Sequence, residues 1–241
     1  MIVVMPMAGR GSRFSNKGYQ TPKPLIQVDG IPMFVRALGS LGNLEYELLV
    51  MIALKEHETE FKVSDLIAKY LPNKPVKLLL IDEVTEGQLC TVLLASDEIK
   101  NKPVLVMASD TLVEGNLDYD IRNLGDAKGL ISVINLPGDS WSFARINDNG
   151  IVVEVQEKIR ISDHASTGLY YFSCGDDLIN FGNEMIKNNE RNRGEFFVIP
   201  VYQKLIHAGI SIKISQATAM WDMGTPENLE ATLHYFKNSK N

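Results

Sequence analysis

The sequence predicts an α/β protein with a mostly parallel sheet flanked by helices and a more antiparallel portion inserted in its second half. In the first half, short apolar runs of strand length alternate with longer amphipathic stretches. Strands that are joined through helices pair in parallel with right-handed crossovers. Beyond residue 129, strand-like runs follow one another directly, and Asn149-Gly150, a dipeptide typical of hairpins, joins two of them.

Each element is predicted from its own pattern. Apolar runs typical of buried strands cover residues 2–7, 48–54, 76–81 and 104–108. Amphipathic patterns predict helices over residues 32–41, 56–70 and 86–99. In the second half we expect strands over residues 130–136, 143–146, 151–156, 167–172 and 211–215, and helices over residues 175–189, 195–208 and from Pro226 onward.

Charge and composition exclude several classes of protein. The chain has 24 basic and 30 acidic residues, a net charge of −6, which argues against nucleic-acid binding. The N-terminus lacks the basic region of a signal peptide, and the longest apolar run without a proline, Leu48 to Leu54, is too short to span a bilayer. Cys90 and Cys174 are expected to be free thiols. We therefore expect a cytoplasmic protein that binds neither nucleic acid nor membrane.

The loop after the first strand has the chemistry of a phosphate site. Gly9-Arg10-Gly11 follows the strand directly, and residues 8–23 contain four cations and no acid. The loop matches neither the dinucleotide fingerprint, whose third glycine position is Phe14, nor a Walker loop. Pro22 and Pro24 restrict the backbone around Lys23, which favours a fixed loop over a helix. Backbone N–H groups and cations together favour triphosphate binding.

Two carboxylates are candidates for a metal site. Asp110 follows the apolar run that ends at residue 108, and ligands collect at the carboxyl ends of parallel strands. Asp222 precedes Thr225 and Pro226, which predict the N-cap and first residue of a helix. Mg²⁺ favours one or two carboxylates together with substrate phosphates. An aspartate after a strand is equally typical of a turn or a helix cap.

Several segments resemble one enzyme family. GRGSRF followed by TPKPL, in residues 9–25, resembles the signature loop of the sugar-1-phosphate nucleotidyltransferases, of which the glucose-1-phosphate thymidylyltransferases are typical. VLVMASD and WDMGTPENL resemble the two metal-binding aspartate motifs of this family. The resemblance covers residues 2–237 and implies a Rossmann-like, GT-A-like fold. It also implies transfer of a nucleoside monophosphate from a nucleoside triphosphate to a sugar 1-phosphate, with release of pyrophosphate.

The resemblance also implies roles for individual residues. It places Mg²⁺ on Asp110 and Asp222, and catalysis on Arg13, Lys23 and Asp110. The implied nucleotide contacts are Ala8, Gly9, Gly11, Arg13, Lys23 and Gly87. The implied sugar-phosphate contacts are Glu157, Lys158, Gly168 and Glu195, with Glu195 presented by a helix. We expect residues 1–241 to form one domain, with a nucleotide-binding half over about 1–128 and a sugar-phosphate half over about 129–241.

Some positions depart from the family pattern, and other functions stay open. The departures are Asp82 in place of a base-reading glutamine, Ser109 in place of glycine, Ile159 in place of proline and Thr167 in place of asparagine. They leave the base and the sugar undetermined. Without the resemblance, Glu157 and Lys158 are typical of an exposed strand end.

The alternatives are a cytidylyltransferase acting on a non-sugar phosphate such as phosphocholine, a GT-A glycosyltransferase, and a non-catalytic nucleotide sensor. Asp118-Tyr119-Asp120 matches the DxD motif of the glycosyltransferases, although it lies well past the strand end. The sequence leaves the oligomeric state open, a homo-oligomer included.

Overall fold

The computed structural model describes residues 1–238. The strands in this part of the chain are β1 (Ile2–Pro6), β2 (Gln27–Val28), β3 (Ile31–Pro32), β4 (Leu48–Leu54), β5 (Val76–Ile81), β6 (Val104–Met107), β7 (Thr111–Gly115), β8 (Gly129–Ile134), β9 (Ser142–Ile146), β10 (Val152–Glu157), β11 (Ala165–Phe172) and β12 (Ile212–Asp222). The helices are α1 (Ser12–Ser15), α2 (Met33–Leu38), α3 (Lys55–Phe61), α4 (Val63–Tyr70), α5 (Gln88–Leu93), α6 (Ser96–Ile99), α7 (Leu117–Arg122), α8 (Gly175–Lys187), α9 (Ile199–His207) and α10 (Pro226–Asn238). Single 3₁₀ turns cover Lys23–Leu25 and Gly39–Leu41.

One sheet organises the molecule, with strand order β5-β4-β1-β6-β11-β8-β12-β7. The first four strands of this order are parallel to one another. β11 is antiparallel to both of its neighbours, β6 and β8, while β12 is parallel to β8. β9 and β10 form an antiparallel hairpin that also touches β11, as the Asn149-Gly150 pair predicted. The predicted fold class is therefore confirmed.

Helices cover both faces of the sheet. Along β1, Ile2 and Val4 point into one apolar cluster while Val3 and Met5 point into another, which is the period of two of a strand buried on both faces. Helices α5, α8 and α9 pack in the first cluster, and α2, α4 and α7 in the second. None of the helices within residues 1–238 is long and apolar enough to cross a membrane.

Two predicted helices are each divided in two. Lys62 adopts the left-handed backbone conformation, with φ 53°, and this interrupts the predicted helix 56–70. Helix α3 therefore ends before Lys62 and α4 begins after it. The Glu58 carboxylate accepts a hydrogen bond from the backbone N–H of Ser64 at 2.8 Å and so caps the new helix start. The predicted helix 86–99 is divided between α5 and α6.

Two other predictions are wrong at their boundaries. The strand predicted over residues 211–215 continues to Asp222, because its second half pairs with β7, a strand that the sequence analysis missed. The helix predicted over residues 195–208 begins only at Ile199. Before it, Asn192 and Glu195 exchange backbone hydrogen bonds of 2.9 and 3.0 Å across a tight turn in which Arg193 and Gly194 both have positive φ.

Candidate active site

A cavity of about 690 Å³ opens where β1 and β6 end. Its walls come from the loop after β1, the Lys23 turn, the segment before α5, the segment after β6 and the turn before α9. The lining residues are Pro6, Ala8, Gly9, Arg10, Gly11, Ser12, Arg13, Phe14, Lys23, Val84, Thr85, Glu86, Gly87, Gln88, Thr91, Ala108, Ser109, Asp110, Arg191, Gly194, Glu195, Phe197 and Gly224. All six predicted nucleotide-binding residues are among them, together with Asp110 and Glu195.

One side of the glycine loop after β1 is anchored in the core, and the other side is exposed. Phe14 is buried, with its ring centre 5.2 Å from that of Tyr19, and anchors the loop in the core. Gly11 adopts the left-handed conformation at φ 59°, and a Cβ at this position would lie only 3.1 Å from the Cβ of Lys23. Arg10 and Arg13 are exposed on the rim, and neither forms a salt bridge within residues 1–238. The loop therefore presents free positive charge to the cavity.

Lys23 opens a 3₁₀ turn rather than lying in an irregular loop, which corrects the prediction made from its flanking prolines. Pro24 fits this turn because it occupies one of the first positions, where no backbone N–H is needed. The Lys23 ammonium reaches across the cavity floor and lies 2.6 Å from Oδ2 of Asp110.

Asp110 and Asp222 are brought together by the pairing of β7 with β12. Asp222 pairs with Thr111, and the backbone N–H of Met223 donates to the carbonyl of Asp110 at 2.8 Å. A methyl group on Gly224 would lie 2.9 Å from Oδ1 of Asp222 and 3.1 Å from Oδ2 of Asp110. Both carboxylates therefore face one point, although 112 positions separate them in the sequence.

The start of α10 holds Asp222 in place. The backbone N–H of Gly224 donates to its Oδ1 at 2.9 Å, and the Asn228 amide donates to its Oδ2. Thr225 caps the helix by accepting from the N–H of Asn228 at 3.1 Å, and Pro226 is the first helical residue, as predicted. The cap explains Thr225 and Pro226, while Asp222 and Gly224 serve the cavity floor.

The two carboxylates differ in their electrostatics. Burial acts to raise the pKa of Asp110, but the neighbouring Lys23 ammonium outweighs burial and holds this pKa below its usual value. Burial, and then the charge of Asp110, raise the pKa of Asp222. The two carboxylates thus carry negative charge that Lys23 compensates only in part. A bound cation would reduce the remaining repulsion between them.

The wall beside α5 depends on a close backbone approach. Gly87 has φ 145°, and a Cβ there would lie 2.4 Å from the carbonyl oxygen of Phe196. Backbone hydrogen bonds from Phe196 to Glu86 at 3.1 Å and from Leu89 to Phe196 at 3.0 Å join the same two segments. Arg191 adds an ion pair with Glu86. Packing against Phe196 therefore requires glycine at position 87, whatever ligand it meets.

The remaining predicted residues lie beside the cavity, around Glu157 and Lys158. Glu157 is buried and accepts a hydrogen bond from the Ser142 hydroxyl, so the alternative of an exposed strand end is wrong. Burial raises the pKa of Glu157, against the opposing effects of Ser142 and Lys158. The Lys158 ammonium lies 3.7 Å from Oε1 of Glu157 and 4.4 Å from the centre of the Phe197 ring, which lines the cavity.

Gly168 and Glu195 complete the predicted set. Gly168 has φ 86°, and a Cβ there would lie 3.0 Å from the Cβ of the cavity residue Ala108. Glu195 is exposed and lines the cavity from the turn before α9, not from a helix as predicted.

Sequence reasoning gave no role to several residues at the site. Arg191 lines the cavity, Phe197 contacts Lys158, and the charge of Arg193 acts on Glu157. These three lie in or beside a turn without periodicity, where the sequence gives no signal. Arg10 also lines the cavity, and the sequence had indicated it only as one of the four cations of the acid-free loop.

Other candidates do not line the cavity. In the DxD motif, Asp118 pairs with Arg122 at 2.6 Å and Asp120 accepts from the Ser215 hydroxyl at 2.6 Å. Asp82 pairs with Lys55 at 2.7 Å. Cys90 and Cys174 are free, as predicted. Within residues 1–238, no three His, Cys, Asp or Glu side chains form a cluster that could hold a metal.

The chain and its fold have counterparts among known proteins. The profile of the nucleotidyl transferase family matches residues 3–238. The bifunctional protein GlmU of Methanococcus aeolicus is 24% identical over 100% of this chain and 56% of its own length. The UTP–glucose-1-phosphate uridylyltransferase AglF of Haloferax volcanii is 24% identical over 95% of this chain and 93% of its own. The chain thus spans about half the length of one relative and nearly all of the other.

Among solved structures, the nucleoside-diphosphate-sugar pyrophosphorylase of Vibrio cholerae superposes with a TM-score of 0.85 at 28% identity, covering 96% of this chain and 99% of that one. With the family profile spanning nearly the whole chain, the protein belongs to the nucleotidyl transferase family. The resemblance to the sugar-1-phosphate nucleotidyltransferases is confirmed.

Proposed function

We propose that the protein transfers a nucleoside monophosphate from a nucleoside triphosphate to a sugar 1-phosphate, giving a nucleoside diphosphate sugar and pyrophosphate. The observation that carries the proposal is that two groups of cations lie in and beside one cavity. Arg10, Arg13 and Lys23 line the cavity with Asp110, and Asp222 lies close by at Gly224; we call this group the nucleotide end. Lys158 lies beside the cavity residue Phe197 and forms a second group with Glu157, which we call the acceptor end.

At the nucleotide end, the glycine loop would bind the triphosphate. Its backbone can approach phosphate oxygens closely because Gly9 and Gly11 carry no side chain. Arg10 and Arg13 are exposed and free of salt bridges within residues 1–238, so they can turn towards an incoming anion. Charge neutralisation at the triphosphate is the main contribution that such a site makes to phosphoryl chemistry.

The chemistry of the two carboxylates fits Mg²⁺. Asp110 and Asp222 each lie within about 3 Å of one point beside Gly224, and Mg²⁺ takes one or two carboxylates with substrate phosphates and water as its remaining ligands. When bound, the ion would neutralise phosphate charge and orient the triphosphate. Asp110 would hold the ion, and Lys23, which pairs with Asp110, would then be available to contact the triphosphate.

At the acceptor end, Lys158 would hold the phosphate of the sugar, with Glu157, Gly168 and Glu195 near the sugar itself. A phosphate oxygen of the acceptor would attack the α-phosphorus, and the bond to the bridging oxygen of the β-phosphate would break to release pyrophosphate. The attacking oxygen is already anionic at neutral pH, so no general base is required. Catalysis then rests on positioning and charge neutralisation.

The relatives support a sugar phosphate as the acceptor, since one is a UTP–glucose-1-phosphate uridylyltransferase and one a nucleoside-diphosphate-sugar pyrophosphorylase. The nucleotide base is not indicated. Asp82, which stands in place of the family's base-reading glutamine, pairs with Lys55 and does not line the cavity.

A pyrophosphate-release screen tests the proposal. The common triphosphates are combined with a panel of sugar 1-phosphates, phosphocholine and no acceptor, with and without EDTA. Release that requires a triphosphate, a sugar 1-phosphate and free divalent metal is the expected result, and Asp110→Asn serves as the inactive control. Pyrophosphate release with phosphocholine but with none of the sugar 1-phosphates as acceptor would establish the cytidylyltransferase alternative. Triphosphate binding with no release from any pair would instead indicate a nucleotide sensor.

A further inference from the structure

The side chain of Phe197 faces the acceptor lysine. Phe197 follows the turn at Arg193-Gly194, is half-buried and lines the cavity. The Lys158 ammonium lies 4.4 Å from the centre of its ring, within the range of a cation–π contact. The side chain of Lys158 is 24% exposed, so the contact is partly shielded from water and stronger than one on an open surface.

Lys158 needs such a contact because its other partner holds it loosely. Oε1 of Glu157 is 3.7 Å away, beyond a direct hydrogen bond, and Oε2 of Glu157 is occupied by the Ser142 hydroxyl. A lysine side chain has a flexible stem of four carbons, and it loses considerable conformational entropy when it is held in one place. Glu157 alone therefore leaves the position of the ammonium poorly defined.

We propose that Phe197 is a positioning residue that holds the Lys158 ammonium at the acceptor end without neutralising it. A carboxylate at position 197 would also attract the lysine, but it would cancel the charge that an acceptor phosphate needs. An aromatic face attracts the cation and leaves its net charge available to the ligand. That this ligand is a sugar phosphate rests on the proposed function; the contact between ring and ammonium does not.

The neighbouring Phe196 shows why Phe197 is the informative position. Phe196 is 1% exposed, its ring centre lies 4.3 Å from the Arg191 guanidinium, and its backbone is bonded to Glu86 and Leu89. Changing it would disturb the core and the wall beside α5 together. Phe197 is half-buried, so a leucine there removes the aromatic face with a small change in apolar contact.

Steady-state kinetics compare Phe197→Leu with Phe197→Tyr, which keeps the ring. Phe197→Leu is expected to raise the KM for the sugar phosphate about three- to thirtyfold, the range of a cation–π contact, and to leave the triphosphate KM within twofold. Phe197→Tyr should restore the acceptor KM. Equal effects of the two substitutions, equal changes in both KM values, or an unchanged acceptor KM in Phe197→Leu would overturn the proposal.

A second measurement needs no turnover. Lysines are dimethylated with ¹³C, which keeps their charge, and Lys158→Arg assigns the Lys158 signal. The signal is expected to show an upfield ring-current shift that Phe197→Leu abolishes and Phe197→Tyr retains, and inorganic phosphate should perturb it at lower concentration in the wild type than in Phe197→Leu. A Lys158 signal that Phe197→Leu does not move would refute the contact. If the wild type shows the shift and the phosphate response but releases no pyrophosphate, the proposed function fails while the positioning role stands.

Discussion

The two ends of the cavity carry their charge in different ways. At the nucleotide end, Arg10 and Arg13 are exposed and have no salt-bridge partner within residues 1–238. At the acceptor end, Lys158 is 24% exposed and already lies between Glu157 and the Phe197 ring. Exposed cations cost the fold almost nothing, because water solvates them until a ligand arrives.

The acceptor end, by contrast, is coupled to the stability of the fold. Glu157 is buried, and a buried charge that loses its partner destabilises the fold. Replacing the exposed Arg10 or Arg13 should therefore affect activity alone, whereas changes around Glu157 should affect activity and stability together. The Asp110–Lys23 pair on the cavity floor lies between these extremes.

The largest expected effect is the loss of a carboxylate from the cavity floor. Asp110→Asn and Asp222→Asn should each lower kcat at least roughly 100-fold, since either change removes a ligand from the proposed Mg²⁺ site. The two losses should be strongly non-additive, because one missing ligand already disables the site. A double-mutant cycle across Mg²⁺ concentration measures this. Fully additive losses, or activity that persists in EDTA, would show that the residues do not share a metal.

The second largest effect is expected for Lys23→Ala, which tests a residue at the nucleotide end that is tied to both activity and stability. Kcat should fall about 10- to 100-fold, the range of a lost charge-assisted contact. The metal-free protein should also lose stability, because Asp110 would face Asp222 without its ion-pair partner. Added Mg²⁺ should recover part of the lost Tm. The matched control is Lys17→Ala, a lysine of the same loop whose partner is the exposed Glu227; an equal loss of kcat in both variants would contradict the role of Lys23.

Lys158→Ala should act at the acceptor end. Removing one charge-assisted contact should weaken the binding of the sugar phosphate by about 1.5–3 kcal/mol and leave the triphosphate KM nearly unchanged. The same change should lower Tm, because Glu157 would be left buried without its counter-ion. Thermal unfolding and initial-rate kinetics on one preparation measure both effects. An altered acceptor KM with an unchanged Tm would remove the distinction drawn between the two ends.

The smallest effect is a pH dependence. Because burial raises the pKa of Glu157, its ionisation destabilises the folded protein as pH rises from the ordinary glutamate value through the raised one. The Tm of Glu157→Gln relative to wild type should therefore be higher near about pH 7 than near about pH 4.5. Glu154→Gln on the same strand should show the opposite trend, since the Arg145 hydrogen bond lowers the pKa of Glu154. Parallel trends in the two variants would contradict the assignment.

The strands of the parallel half were predictable from sequence because burial on both faces makes them continuous apolar runs. β4 and β5 have the predicted bounds, whereas two of the predicted helices, 56–70 and 86–99, are each divided in two. The second part of β12 was not predicted, because it pairs with β7, a strand about 100 positions away, and its register shifts between Ala217 and Ala219.

The site shows the same division. The glycine loop and the aspartate motifs are local patterns, so the sequence identified Lys23, Asp110 and Asp222. That Asp110 and Asp222 meet beside Gly224 depends on the β7–β12 pairing, which the sequence does not reveal. The Phe197 contact could not have been found either, since it joins a turn to a strand end.

We propose that the two ends of the cavity bind different substrates, and a crossed kinetic comparison measures whether they do. Both KM values are measured in Arg13→Ala and Lys158→Ala with the most active substrate pair. We expect Arg13→Ala to raise mainly the triphosphate KM and Lys158→Ala to raise mainly the sugar-phosphate KM. If both variants raise the same KM, or each raises both equally, the division of the cavity into a nucleotide end and an acceptor end is wrong.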